Sequence, residues 1–350
     1  MERMEAARVP GRLLARPSRA WFAPVLLTLA YPFLLAAFSH AIATGDGPAD
    51  AARTAAGWLS LVAAMSVPLV GLGWAYCLRG VSDPADLRVR ARLLAYLTIA
   101  APALFTFIGV VRGLVGRPLT DQSVWLGAWL LAIGAAGLPR RGTRGRVQAG
   151  EASTRLRVAH GIAASLIVLF VAFHLANHLS GLVGPTTHAA IMAAGRKVYR
   201  FLPVEMLLIG LLLFQVASGA TLAARRSREV GDGFRVLQVG SGLYLAGFVV
   251  AHLNSALVSA RAVRHIDTDW AWASGGTAGL LHDAWNIRLV PHYGYGVFFI
   301  LAHLLLGLRQ VLLAHGIAPR RVNRLWAGAM IGAAIVAAAI MAALLGLRLQ

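Results

Sequence analysis

The chain has 350 residues, of which 58% are hydrophobic and only 13% charged, with a formal net charge of +19. A soluble domain carries nearer a quarter of charged residues, so the composition argues against a soluble globular protein. A single cysteine, Cys77, excludes a disulfide framework and a cysteine-based metal site, and no GxGxxG nucleotide-binding turn occurs.

Apolar stretches of about 20 residues, the length of a membrane-crossing helix, recur along the chain. They predict spans over 21–43, 57–78, 93–114, 122–138, 157–183, 201–223, 235–259, 289–313 and 325–347. No alternating ten-residue pattern of a membrane β-barrel accompanies them. The fold class predicted is therefore an all-α polytopic membrane protein with about nine transmembrane helices, and the lipid bilayer is its first partner. The first span follows an arginine-rich flank, as a cleaved leader does. Its apolar run exceeds the 7–15 residues of a leader's core, and it reads as a retained helix.

The charge then orients the spans. With the N-terminus inside, the inner segments 1–20, 79–92, 139–157, 224–235 and 309–324 hold 23 of the 33 basic residues, and the outer side holds 10. This is the positive-inside pattern, with the C-terminus outside, as in a bacterial-type cytoplasmic membrane. The basic charge that would suggest nucleic acid in a soluble protein is thus a topology signal, and no nucleic-acid partner is expected. The stretch "PRRGTRGRVQAGEASTRLR" reads as a linker. It divides the chain into a four-helix extension, 1–138, a basic cytoplasmic linker, 139–156, and a five-helix membrane domain, 157–350.

Histidine is unevenly placed. The first four spans hold only His40, whereas the later ones hold His160, His174, His178, His252, His292 and His303. His174 lies 17 residues beyond Arg157 and His252 lies 17 beyond Arg235, on helices that enter from the same side. Both imidazoles are then about 25 Å deep, as the two axial ligands of one haem require. On the helices that run the other way, Gln215 and His303 each lie 14 residues in, after Phe201 and Leu289. Gly219 and Gly307 follow them by four, on the same helical face, where a missing side chain lets a flat macrocycle approach. This second site has a glutamine where an imidazole is expected. For His160, His178, His282 and His292 a hydrogen bond between helices, or an interfacial role, is the simpler reading.

The second half also resembles a known family. "RLRVAHGIAASLIVLFVAFHLANH", "HAAIMAAGRKVYRFLPVEMLLIGLLLFQVASG", "FRVLQVGSGLYLAGFVVAHL" and "FFILAHLLLGL" follow one another as do elements of a five-helix cytochrome b. That protein is the membrane anchor of succinate dehydrogenase and fumarate reductase, and the likeness covers about 154–347. The resemblance implies a cytochrome b-like bundle in which His174 and His252 ligate an outer haem b. It implies an inner haem on His303 and a partner whose place Gln215 occupies, so one haem is expected and a second lacks a ligand. It further implies flavoprotein and iron–sulfur subunits at the cytoplasmic face and quinone as the membrane substrate. The chain would then be an electron-transfer subunit of a quinone-linked oxidoreductase with no catalytic residue of its own. Polar groups for quinone are His160 near the inner surface and Glu205, His188 and His292 near the outer. The alternatives are a haem-free scaffold or a transporter built on the same bundle.

Overall fold

The computed structural model describes residues 19–43, 50–81, 83, 86–116, 118–138 and 151–349. Most of the expected linker, 139–150, lies outside the described residues, and 151–156 form the first turns of a helix. The helices are α1 (Ala23–Ala43), α2 (Asp50–Cys77), α3 (Leu87–Ile99), α4 (Ala101–Val115), α5 (Asp121–Gly137) and α6 (Glu151–Ser180). They continue with α7 (Pro185–Tyr199), α8 (Leu202–Arg226), α9 (Gly233–Leu253), α10 (Trp270–Ala273), α11 (Leu289–Ala314) and α12 (Pro319–Leu344). Beyond Leu253, α9 runs on as a π-helical segment, Asn254–Val263.

All nine expected spans appear as helix, and the chain is an all-α multi-pass membrane protein. Among the described residues, seven helices are long and apolar enough to cross a membrane, or eight spans result if α3 and α4 count as one. Those two meet at 62°, where a single straight span was expected over 93–114. The cause is Pro102 in the first turn of α4. Proline has no N–H to give to the preceding turn, and its ring disfavours helical geometry in the residue before it. Helix α5 has 17 residues and carries its own start signal, Thr120, whose side chain accepts from the Ser123 amide. Asp86, Asp232 and Asp269 start α3, α9 and α10 in the same way.

The extension and the five-helix portion share their interior. Tyr31, Phe105, Trp125 and Trp129 form an aromatic cluster, and the Trp125 indole N–H donates to the Thr28 carbonyl at 2.8 Å. The same core continues through Ile287, Leu289, Val297 and Ile340. A second core joins Tyr96 and Ile99 of α3 to Val236, Val239 and Tyr244 of α9 and Phe299 of α11. Polar contacts cross the junction as well. The Tyr295 hydroxyl donates to the Met65 carbonyl, and the buried Arg92 guanidinium donates to Leu78 O and Ser227 O, both at 3.0 Å.

One further tie is ionic. Asp121, at the start of α5, accepts from Arg288 at 2.7 Å and from Arg112. Gly109 makes room for it, since a Cβ there would meet the Arg288 guanidinium at 2.1 Å. Asp121 and Arg288 have side chains only 4% and 8% exposed, so removing one strands the other charge in the interior. Asp121→Ala is expected to cost about 3–5 kcal/mol, whereas Asp121→Leu combined with Arg288→Met recovers most of it. Thermal unfolding in detergent checks this, and equal losses in the single and double variants would disprove it.

Candidate functional site

Helix α6 sets the spacing. His160 and His174 are 14 residues apart on it, close to four full turns, so they share one face about 21 Å apart along the axis. Helix α9 repeats that interval with Gln238 and His252.

Toward the Ser180 end of α6 the expected pair meets. The His174 and His252 rings lie 6.1 Å apart between centroids, at 71° to each other. Imidazoles on opposite sides of one metal, with metal–nitrogen bonds of about 2 Å, have ring centres roughly 6 Å apart. Each ring is backed by the phenylalanine four residues earlier on its own helix. Phe170 stacks on His174 at 5.6 Å, and Phe248 stacks on His252 at 5.6 Å. Side chains four apart lie one above the other on a helix, which is why both pairs form. Phe248 also touches His292 at 4.7 Å, and it fits only because Gly296 has no side chain.

A third group of polar rings closes this end of the bundle. His178 meets His174 edge-on at 4.7 Å and His188 at 5.5 Å, and Trp270 of the outer loop lies 4.8 Å from His188. Gly181 receives that indole, since a Cβ there would fall 2.0 Å from it. The Asn177 amide nitrogen, which can only donate, bonds His188 Nε2 at 3.1 Å, placing the ring proton on Nδ1. Asn177 Oδ1 and the Nδ1 atoms of His178 and His188 are buried without a protein partner. Glu205 is an ion-pair partner of Arg261 at 2.5 Å and joins α8 to the π-helical segment. Arg196 and Arg200 hold the exposed Asp267, whose carboxyl they keep below its ordinary pKa.

The opposite end of α6, at His160, departs from expectation. Gln215 does not stand opposite His303. Its amide donates to the His160 backbone carbonyl at 2.7 Å, bracing α8 against α6. The ring facing His303 is that of His160, 6.4 Å away and at 78°. His160 Nδ1 meets Ser218 Oγ at 2.8 Å, which fixes the ring and leaves Nε2 as the atom to serve any ligand. Gly219 faces His160, and Gly242 of α9 faces His303, with added Cβ atoms falling at 3.3 and 3.1 Å. A Cβ on Gly307 would touch nothing within 4 Å. The 14-residue interval on α6 was the signal for this pairing. Counting depth from each helix end missed it, because depth carries no information about rotation.

Among the described residues no three His, Cys, Asp or Glu side chains converge as around a metal ion held by protein alone. Compared with protein-family models, with curated proteins and with solved structures, the chain matches none.

Burial, and then the charge of Arg196, push the His188 pKa below its ordinary value of 6.5, against a smaller pull from Asp269. The folded protein therefore resists a proton that the unfolded chain accepts. Above pH 6.5 this contributes nothing, and below it stability falls with pH. Replacing His188 with glutamine is expected to flatten the fall in melting temperature between about pH 6.5 and 5. An unchanged slope would show that His188 is not among the groups responsible.

Proposed function

We propose that the chain is a haem b-binding electron-transfer subunit of a quinone-linked oxidoreductase in a bacterial-type cytoplasmic membrane. In this reading it is similar to the cytochrome b anchors of succinate dehydrogenase and fumarate reductase. The observation that carries the reading is the 6.1 Å separation of the His174 and His252 rings inside the apolar layer. His174 and His252 would hold a haem through their imidazole nitrogens, a donor set that fits that group. A haem held there supplies one-electron transfer at a depth that no water-soluble carrier reaches.

The chain's own residues supply the rest. Phe170 and Phe248 fix the tilt of each imidazole and exclude water from its inner side. His292, beyond Phe248, and His188, beyond His178, are polar groups that suit the oxygen atoms of a quinone. Quinone chemistry exchanges two protons for every two electrons. His178, which touches both His174 and His188, has an Nδ1 with no protein partner and can take up one of these protons through it. Dicarboxylate chemistry belongs in this reading to flavoprotein and iron–sulfur partners at the cytoplasmic face, where the arginines of 224–235 offer a docking surface.

The purified full chain is expected to show a low-spin b-type reduced-minus-oxidised spectrum. Changing either His174 or His252 to alanine should abolish the component they hold, while His178→Ala leaves its bands in place. Survival of every component through both single changes, or a chain purified without haem, would end this reading.

A further inference from the structure

The inner pair repeats the outer one in the separation and the crossing of its rings. His160 and His303 come from two helices, face each other at 6.4 Å against 6.1 Å for the outer pair, and stand nearly perpendicular. Each ring lies against a glycine of a neighbouring helix, Gly219 or Gly242. A serine hydroxyl meets Nδ1 of each, Ser218 for His160 at 2.8 Å and Ser241 for His303 at 3.0 Å. That bond orients an imidazole for ligation through its other nitrogen.

Directly toward the cytoplasm lies a pocket of about 450 Å³ lined by Arg157, Arg226, Asp232, Arg235, Gln238 and Gln310. Its residues stand in helical register with the rings. Arg157 precedes His160 by three on α6, and Arg235 precedes Gln238 by three on α9. Arg226 follows Gly219 by seven on α8, and Gln310 follows His303 by seven on α11. Intervals of three and seven keep one helical face, so four helices carry one continuous surface from the rings to the pocket. Arg235 is paired with Glu229 at 2.8 Å, and Asp232 caps the Arg235 amide. Arg157 and Arg226 have no ion pair among the described residues, and Arg157 and Arg235 both act on Arg226 as like charges. Guanidiniums held together in this way suit carboxylates, which they bind with two parallel hydrogen bonds.

Resting on the haem reading above, we infer that the chain holds a second haem between His160 and His303, with its propionate carboxylates in the Arg157–Arg226–Arg235 pocket. The ligand missing from α8, where Gln215 stands, is supplied by α6 instead. Gln238 is the side chain that yields. Its amide nitrogen lies 3.2 Å from His303 Nε2, while its Oε1 is buried without a partner. Turning toward the pocket that it already lines frees the ring and gives that oxygen donors. Helix α6 then carries one ligand of each haem, about 21 Å apart along its axis.

The test uses the full chain purified with its native haem. Haem quantification is expected to give two per chain, and a redox titration followed optically should resolve two components. His160→Ala and His303→Ala should each remove the same one, leaving the component that His174→Ala removes, which also serves as the folding control. Arg157→Gln and Arg226→Gln should lower the midpoint potential of the His160-dependent component only, since losing positive charge favours the oxidised iron. A chain with no haem sinks the parent reading as well. A single haem lost with His174→Ala but insensitive to His160→Ala overturns this inference alone. Two haems of which neither depends on His160 overturn it too. A His160-dependent haem whose potential ignores both arginines refutes the pocket assignment and points to another anion there, such as phosphate or a lipid headgroup.

Discussion

An imidazole inside a hydrocarbon layer has no water to bond, and a neutral ring still carries one donor and one acceptor. The arrangement of the second half follows from that constraint. Rings meet across helices as His160 with His303, His174 with His252, and His178 with His188. Ser218, Ser241, Asn177 and Gln238 are the hydroxyls and amides that serve the remaining nitrogens. Glycines stand where helices must approach closely enough for these contacts, at 181, 219, 242 and 296. Each nitrogen left without a protein partner is therefore informative, because leaving it so is costly. In the reading proposed here, those costs are offset by a bound group or a transferred proton.

The first half answers the same constraint with arginine. Arg90 donates to the carbonyls of Ala136 and Leu138, and Arg92 to those of Leu78 and Ser227, at the ends of helices whose last carbonyls lack intrahelical partners. These contacts brace the first turns of α3 against its neighbours. The Asp121–Arg288–Arg112 group ties α4 and α5 to the start of α11. Helix α9, which carries His252, is packed against α3 and α4 through Tyr96, Ile99 and Ala103. The extension thus forms one wall of the helix that presents the His252 imidazole.

Much of this was legible in the sequence, for reasons that differ between elements. All nine apolar runs became helix because hydrophobic length is a local property. The meeting of His174 and His252 followed from equal depth, since two parallel helices that place a ring at one height need only be neighbours. Gln215 and His303 also matched in depth, yet Gln215 turned toward α6. Each residue rotates the side chain by about 100°, and height alone does not record that angle. The bend at Ala100 was readable from Pro102 but was hidden by the unbroken hydropathy of 93–114. Asp121 and Arg288 are 167 residues apart, and nothing local to either announces the other.

Trp270 gives the outer end a property that packing alone does not describe. Its indole is wedged against Gly181 and His188, Arg348 lies over its ring at 5.4 Å, and the Leu349 amide bonds the Leu182 carbonyl at 2.7 Å. Loop and tail together cork the rings below. Charge arriving on a group in such a place meets few dipoles free to turn, so little reorientation has to precede its transfer. The dry shell also sets how readily that charge is accepted, through the low dielectric it imposes. In the electron-transfer reading proposed above, a bulky indole held by a glycine would govern the pace and the potential of the transfer beneath it.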